Sequence, residues 1–563
     1  MAHWTSAVGA THLARLLGSQ RAGDAGDPGS AGRTGKAENA GNAGNAGNAG
    51  NGGNGGSAEK VGDAGDAGST VSGVLGRPGP RGAAARKVPA YRALADGLRL
   101  LVLEGRVPVG TRLPAERELA AVLRVSRTTV AAAYEALRSD GFLESRRGAG
   151  SWTTVPAGNP LPTRGLEPLP PDSDDAMIDL GTAALPAPEP HLSRAFQAAL
   201  GQLPPYTHTH GDYPAGLPVL RQAIADRYTA QGVPTMPQQI MVTTGAMGGV
   251  AALARLLAPA GERVAVEHPS YANVLQLLRE AGARLVPVPM RDGPAGWDLP
   301  MWRRVLREAA PRLAYVVADF HNPTGVLADE EQRRELVSAA RASGTVLIAD
   351  ETMTDLPLGP PGSQEPPDTA GLPPLMASFD PGGGTVVTVG SVSKSIWAGL
   401  RIGWVRAAPE VIRRLTAARA YADLGSPVVE QLAVHELMTG DAWEQALSVR
   451  RARARDNRDA LTAALRERLP DWEFTVPHGG LTLWVRTGGL SGSRIAEAGE
   501  HLGVRVPSGP RFGVDGAFEG YVRLPFTLHE PLAREAVSRL AKAAELVRSG
   551  SPAVPDLPRS YVA

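Results

Sequence analysis

The sequence predicts an α/β body on a mostly parallel sheet with helices on both faces, preceded by a small basic helical module and followed by a smaller C-terminal α+β subdomain. Three observations carry this expectation. Short apolar runs at residues 240–242, 263–266, 313–317, 346–349 and 385–389 alternate with longer helical patterns, the signature of strand–helix–strand units. Positive charge is concentrated in residues 81–155. From about Glu410 the chain turns helix-rich, with strand-like runs at 481–485 and 520–523.

At 563 residues the chain exceeds a single hydrophobic core, and about three units are expected. Its net charge of +1 hides an asymmetry: residues 81–155 hold 13 Arg and Lys against 7 Asp and Glu, which leaves the remainder mildly acidic. A compact basic unit on an acidic body is the electrostatic footprint of a nucleic-acid binder. The chain has no cysteine, which excludes disulfides, thiolate metal sites and a cysteine nucleophile. No apolar run approaches the roughly 20 residues that span a bilayer. The opening residues lack the pattern of a secretory leader, so a cytoplasmic setting without membrane attachment is expected.

Composition sets the expected boundaries. Residues 1–86 are dominated from about Gly18 by Gly, Ala, Asn and Asp, with a repeated Ala-Gly-Asn unit, and are expected to form a disordered low-complexity arm. A dense block covers 87–155. Residues 156–177 begin with six prolines in 17 positions, an extended linker. The body is expected over 178–549, with a short tail at 550–563.

In the basic block, Leu94, Leu98, Leu101 and Leu103 give one helix its apolar face. The run Leu113-Pro-Ala-Glu-Arg117-Glu-Leu-Ala120 opens a second helix with early acidic residues that suit its dipole. Ser126 is placed to cap a third, in which Val130, Ala133, Tyr134 and Leu137 form a stripe at i, i+3, i+4 and i+7. That stripe leaves Arg127, Thr128 and Thr129 on the exposed first turn, where a recognition helix meets base edges in the major groove. Residues 141–151 then supply a strand and a basic, glycine-rich wing containing Arg147 and Gly148. The block resembles a GntR-type winged helix-turn-helix over its whole length, on the motifs at 113–120, 125–130 (Val-Ser-Arg-Thr-Thr-Val) and 146–151 (Arg-Arg-Gly-Ala-Gly-Ser). The resemblance implies contacts to double-stranded DNA from Arg117, Ser126, Arg127, Thr128, Thr129, Arg147 and Gly148. One departure is Arg124, where the family has a turn glycine.

The body holds a second constellation. The chain has five lysines, and four are uninformative: Lys36 and Lys60 lie in the arm, Lys87 edges the basic block, and Lys542 sits in a solvated helix pattern. Lys394 stands in Ser391-Val-Ser393-Lys394-Ser, directly after an apolar strand. Asp350 ends the run 346–349, at the strand end where α/β sheets bind ligands. Asn322, in His-Asn-Pro-Thr-Gly, also follows a strand. Thr-Thr-Gly245-Ala246-Met247-Gly bridges a strand and a helix, whose first N–H groups make a phosphate cradle. Tyr271 is placed to stack on a planar ring, and Arg401, seven residues after the lysine, to pair with a phosphate. A Schiff-base lysine, a carboxylate for a protonated ring nitrogen, a donor to a ring hydroxyl and a phosphate cradle together are what pyridoxal 5'-phosphate needs. His208 and His210, in Thr-His-Thr-His, lack a carboxylate pattern and are not read as metal ligands.

From residue 178 to about 547 the chain resembles fold-type-I aminotransferases, and with the GntR-type reader it looks like the MocR subfamily of regulators. The resemblance implies pyridoxal phosphate on Lys394, with Gly245, Ala246, Met247, Tyr271, Asn322, Asp350, Ser391, Ser393 and Arg401 around it. It also implies a ligand carboxylate on Arg523, in Val-Arg-Leu-Pro, and a homodimer facing two half-sites on DNA. The run Asp350-Glu-Thr-Met lacks the tyrosine that the family commonly has two or three residues after the aspartate. Gly211-Asp-Tyr213 stands where the family reads tyrosine-glycine-aspartate. The expected function is a regulator that senses pyridoxal phosphate, or an amine or amino acid joining it as an aldimine. The alternative is a working aminotransferase with an appended DNA reader.

Overall fold

The structure, a computed structural model, describes residues 7–23, 89–146, 150–156, 166, 169, 177–291, 293–363 and 371–550. Its N-terminal unit packs four helices: α1 (Ala10–Gly23), α2 (Ala90–Leu103), α3 (Glu116–Leu123) and α4 (Arg127–Ser139). The β1 (Leu143–Arg146) and β2 (Gly150–Thr153) ribbon follows. Helix α4 buries Val130, Ala133, Tyr134 and Leu137, the stripe at i, i+3, i+4 and i+7. Ser126 caps it, accepting from the Thr129 N–H at 3.0 Å. Tyr134 anchors α4 to the α3 entry by donating to Pro114 O at 3.0 Å. Between α3 and α4, Arg124 adopts φ 54°, a left-handed turn that glycine makes without strain.

Helix α1 corrects one expectation. Within the stretch expected to be disordered, residues 10–23 form a helix that buries Leu13 completely in the same core as Leu98, Leu101, Leu119 and Leu137. The Val8 N–H donates to Arg112 O at 3.1 Å, which ties α1 to the strand-like residue beside β2. Leu13, Leu16 and Leu17 stand at i, i+3 and i+4, a helical signal cut short by the glycine-rich composition after Gly18.

The body is a seven-stranded sheet flanked by helices. Its strands are β4 (Ile240–Thr244), β5 (Arg263–His268), β6 (Arg284–Pro289), β7 (Leu313–Val316), β8 (Val346–Asp350), β9 (Val386–Ser391) and β10 (Ile402–Arg406); β3 (Ile178–Asp179) precedes them. Across the sheet they run β4, β10, β9, β8, β7, β5, β6. All neighbours are parallel except at β10, which is antiparallel to both β9 and β4. Strands β6 and β10 were not anticipated, because Pro287 and Pro289 interrupt the apolar residues of β6 and Gly403 and Arg406 those of β10. Gly390 of β9 and Gly403 of β10 are needed for contact. A Cβ on Gly390 would meet the Trp404 ring at 2.3 Å, and one on Gly403 would lie 2.6 Å from Gly245 C.

The smaller subdomain is not the simple C-terminal block that composition suggests. Strands β11 (Thr482–Arg486) and β13 (Tyr521–Pro525) pair antiparallel, while β12 (Val504–Arg505) pairs in parallel with β3. Residues 178–185 therefore share the core of the long helix Ala442–Arg468 and the final helix Glu530–Arg548. The helix Val428–Thr439 instead packs on the large sheet, against α5 (His191–Gln202).

Candidate functional site

The C-terminal ends of β4, β5, β7, β8 and β9 point the same way, and the loops leaving them gather most of the candidate side chains. Strand β8 delivers Asp350 at 6 % exposure. Its Oδ2 accepts from the Tyr315 hydroxyl of β7 at 2.5 Å and its Oδ1 from the Thr352 N–H at 2.9 Å. Burial pushes this carboxyl above its ordinary range, against which the bonds from Tyr315 and Thr352 and the charge of Lys394 favour the anion.

Strand β9 ends in Ser391, which caps a single helical turn, Val392–Ser395, that carries Lys394. Ser391 Oγ accepts from the Ser393 N–H at 3.1 Å and lies 3.0 Å from Ile402 O. The half-buried Lys394 amine donates to Ala183 O at 2.6 Å. Burial, then the positive field of Arg523, bring its pKa down to about 8, with Asp350 pulling in the opposite direction. Its backbone carbonyl is held by Arg450, whose Nη2 donates at 3.1 Å and which also bonds Pro186 O at 2.5 Å. Arg450 is 2 % exposed. It was not singled out, because it begins a run, Arg-Arg-Ala-Arg-Ala-Arg, that reads as a solvated face.

Directly after β4, Gly245, Ala246 and Met247 form the first turn of α7 (Gly245–Leu257), while α6 (Pro218–Ala230) packs against the same strand. Gly245 has φ 68°, and a Cβ there would lie 2.8 Å from Arg401 Nη2. Arg401, itself left-handed at φ 51°, thus reaches over the opening of α7, whose first N–H groups have no acceptor within the helix. Tyr271 occupies the N-cap position of α8 (Ala272–Glu280). Burial raises its phenol pKa, with Arg523, Asp350 and Arg401 all acting on it. Asn322, after β7, is 8 % exposed. From β13, Arg523 enters at 1 % exposure, donates to Gly181 O and lies over the Phe512 ring at 5.1 Å. Burial lowers its pKa to about 10.

These groups suit pyridoxal phosphate. Asn322 Oδ1, Ser395 Oγ and Arg523 Nε are buried with no hydrogen-bond partner among the described residues, and buried polar groups are rarely left so. The Gly245–Arg401 opening, a buried carboxylate and an amine near neutrality supply the other donors and acceptors the cofactor requires.

In the N-terminal unit, Arg117 is exposed in the first turn of α3, while at the start of α4 Ser126, Arg127 and Thr128 are exposed and Thr129 is half-buried. Arg127 pairs with Glu116 at 3.3 Å. Arg147 and Gly148 of the wing lie outside the described residues.

Residues 177–540 match the family described as aminotransferase class I and II, and residues 90–152 match the bacterial regulatory proteins of the gntR family. An uncharacterized HTH-type transcriptional regulator of Bacillus subtilis, YisV, is 29 % identical over 71 % of this chain and 84 % of its own length. The probable rhizopine catabolism regulatory protein MocR of Rhizobium meliloti is 30 % identical over 58 % of this chain and 66 % of its own. The crystal structure of the α-aminoadipate aminotransferase LysN from Thermus thermophilus, complexed with N-(5'-phosphopyridoxyl)-L-leucine, superposes with a TM-score of 0.58. It is 27 % identical and covers 67 % of this chain and 94 % of its own.

Proposed function

The chain belongs to the aminotransferase class I and II family and carries a gntR-family module ahead of that domain; from this premise we propose that it is a MocR-like, pyridoxal-phosphate-binding transcription regulator whose body senses amines or amino acids. The observation that carries the reading is the meeting of Lys394, with its pKa near 8, the buried acid Asp350 and the Gly245–Arg401 opening in a chain that also presents the first turn of α4 to solvent.

When bound, pyridoxal phosphate supplies an electrophilic carbon that takes up primary amines. The chain's own residues divide the remaining work. Lys394 provides the amine of attachment. Asp350 holds a proton at the ring nitrogen, Asn322 orients the ring oxygen, and Tyr271 covers one ring face. The N–H groups of Gly245, Ala246 and Met247, with Ser391, Ser393 and Arg401, hold the phosphate by hydrogen bonds and charge. Arg523, with one nitrogen unpartnered, receives a ligand carboxylate. Arg117, Ser126, Arg127, Thr128 and Thr129 meet DNA, and a homodimer presents two readers to two half-sites. Regulation rests on the ligand's different affinity for two states of the protein.

The same lysine favours a second reading, a working aminotransferase, because an amine near neutrality serves as a general base. The test measures DNA affinity of cofactor-free, cofactor-loaded and amine-treated protein by fluorescence anisotropy, and keto-acid release from a panel of amino donors. A tenfold change in DNA affinity without repeated turnover supports the regulator. Multiple turnovers with no change in DNA affinity would overturn it.

A further inference from the structure

Among the contacts between the reader and the body, one falls on the short segment that carries Tyr271. Just past the end of α2, Gly105 O accepts from His268 Nδ1 at 3.2 Å, while His268 Nε2 accepts from the Val514 N–H at 3.0 Å. The two bonds fix the tautomer with its proton on Nδ1. Burial lowers the imidazole pKa to about 4, so the ring is neutral at physiological pH. The Phe518 ring lies 4.7 Å from His268, and the Phe518 N–H donates to Leu103 O at 2.6 Å. Gly105 has φ 68°, and a Cβ there would meet the Phe518 ring at 2.5 Å, so this seating requires glycine. The buried Glu104 pairs with Arg486 of β11.

Two residues after His268, the Ser270 N–H donates to Phe512 O at 2.9 Å, and Phe512 is the ring beneath Arg523. Two residues after Tyr271, the Asn273 side chain takes up Leu166 from residues 156–177. Asn273 Nδ2 donates to Leu166 O at 3.1 Å, and Asn273 Oδ1 accepts the Leu166 N–H at 2.5 Å. Residues 268–273 thus touch the reader, the connecting chain, the floor of the carboxylate site and the ring site.

We propose that residues 268–273 are the coupling element between cofactor site and reader, with His268 the positioning residue that transmits the seating of α2 to Tyr271. This rests on the regulator reading above and adds the route by which occupancy is felt. His268 and Ser270 are 1 % and 0 % exposed, and close-packed interiors do not yield locally. A ring that settles against Tyr271 therefore bears on His268 and on the Gly105 carbonyl it holds. By reciprocity, a reader drawn away by DNA loosens Tyr271 to the same extent in free energy.

The test is backbone hydrogen exchange of the full-length protein, without cofactor and loaded with pyridoxal phosphate. Its variants are His268→Phe, which keeps a ring against Phe518 and loses both hydrogen bonds, and Gly105→Ala, which unseats α2 from the reader's side. In the unmodified protein, loading is expected to slow exchange over residues 100–108 and 512–520 by roughly threefold or more. In both variants that difference is lost while the absorbance of bound cofactor remains. Unchanged exchange over 100–108 in the unmodified protein, or a response that survives in His268→Phe, overturns the proposal. Binding to a duplex selected from random sequence by the full-length protein is measured in parallel. No selectable duplex, with the exchange response intact, sinks the regulator reading and leaves the coupling standing.

Discussion

The Tyr315 hydroxyl donates to Asp350 Oδ2 across 2.5 Å, joining β7 to β8 beneath the candidate cofactor site. The bond stabilises the carboxylate against burial that otherwise favours the neutral acid. A charge-assisted hydrogen bond of this kind contributes about 1.5–3 kcal/mol. Tyr315→Phe is therefore expected to raise the Asp350 pKa further and to weaken cofactor binding by roughly tenfold, in line with the lower end of that range. Titration of cofactor-free protein by absorbance measures it; unaltered affinity would show that Thr352 alone suffices.

Lys394 sets a pH dependence. Its folded pKa, near 8, lies below the ordinary value of 10.5, because burial and the Arg523 charge disfavour the ammonium. Only the neutral amine attacks a carbonyl, so the rate of cofactor uptake should rise about tenfold per pH unit below 8 and level off above it. A stopped-flow pH series gives the profile. Lys394→Ala should abolish the absorbance of attached cofactor, and a band that survives would assign the attachment to another amine.

Gly403 meets the opening of α7 backbone to backbone. A Cβ there lies 2.6 Å from Gly245 C and 2.8 Å from both Ala246 N and Gly390 O, and none of these belongs to a flexible side chain. Gly403→Ala is expected to destabilise the body by about 1–3 kcal/mol, as overpacking does. It should also weaken binding of free phosphate and of pyridoxal phosphate together. Thermal unfolding and isothermal titration separate the two effects, and loss of neither would mean that the strand shifts without cost.

Arg127 stands exposed at the start of α4, held by Glu116 at 3.3 Å. Arg127→Ala should cost about 1–3 kcal/mol on a selected duplex if the guanidinium reads a base. Equal loss on selected and random duplexes in a competition assay would make it a phosphate contact.

The body strands that lead to the candidate residues Asp350, Lys394, Asn322 and Gly245 were legible, because an apolar run precedes each of them. Lys394 stands out as the candidate attachment lysine by elimination among five lysines. Tyr315 was not, since it sits inside the buried run Leu313–Val316, where a tyrosine reads as one more core residue until its hydroxyl is seen on Asp350. Arg450 was hidden by its basic neighbours. His268 and Gly105, 163 positions apart, meet only through tertiary packing, which no local pattern encodes. Helix α1 was obscured by composition averaged over a long window, although Leu13, Leu16 and Leu17 announce it.

Leu13 offers a direct check on that helix. It is fully buried in the reader's core, so Leu13→Ala is expected to cost about 2–5 kcal/mol. Removing residues 24–80 should leave folding and cofactor binding unchanged. Calorimetry on the two variants decides it, and a neutral Leu13→Ala would mean that α1 contributes nothing to the reader's stability.

Helix α1 also alters what counts as a transplantable piece of this protein. The reader is assembled from two stretches separated by residues 24–88, so its completion carries a loop-closure entropy that a contiguous winged helix does not. A fragment cut at residue 87 carries the exposed first turn of α4 yet leaves bare the apolar surface that Leu13 covers. Chimeras that exchange readers between regulators at that boundary would inherit a sticky, destabilised module, whereas those that carry residues 7–23 along would receive the whole fold.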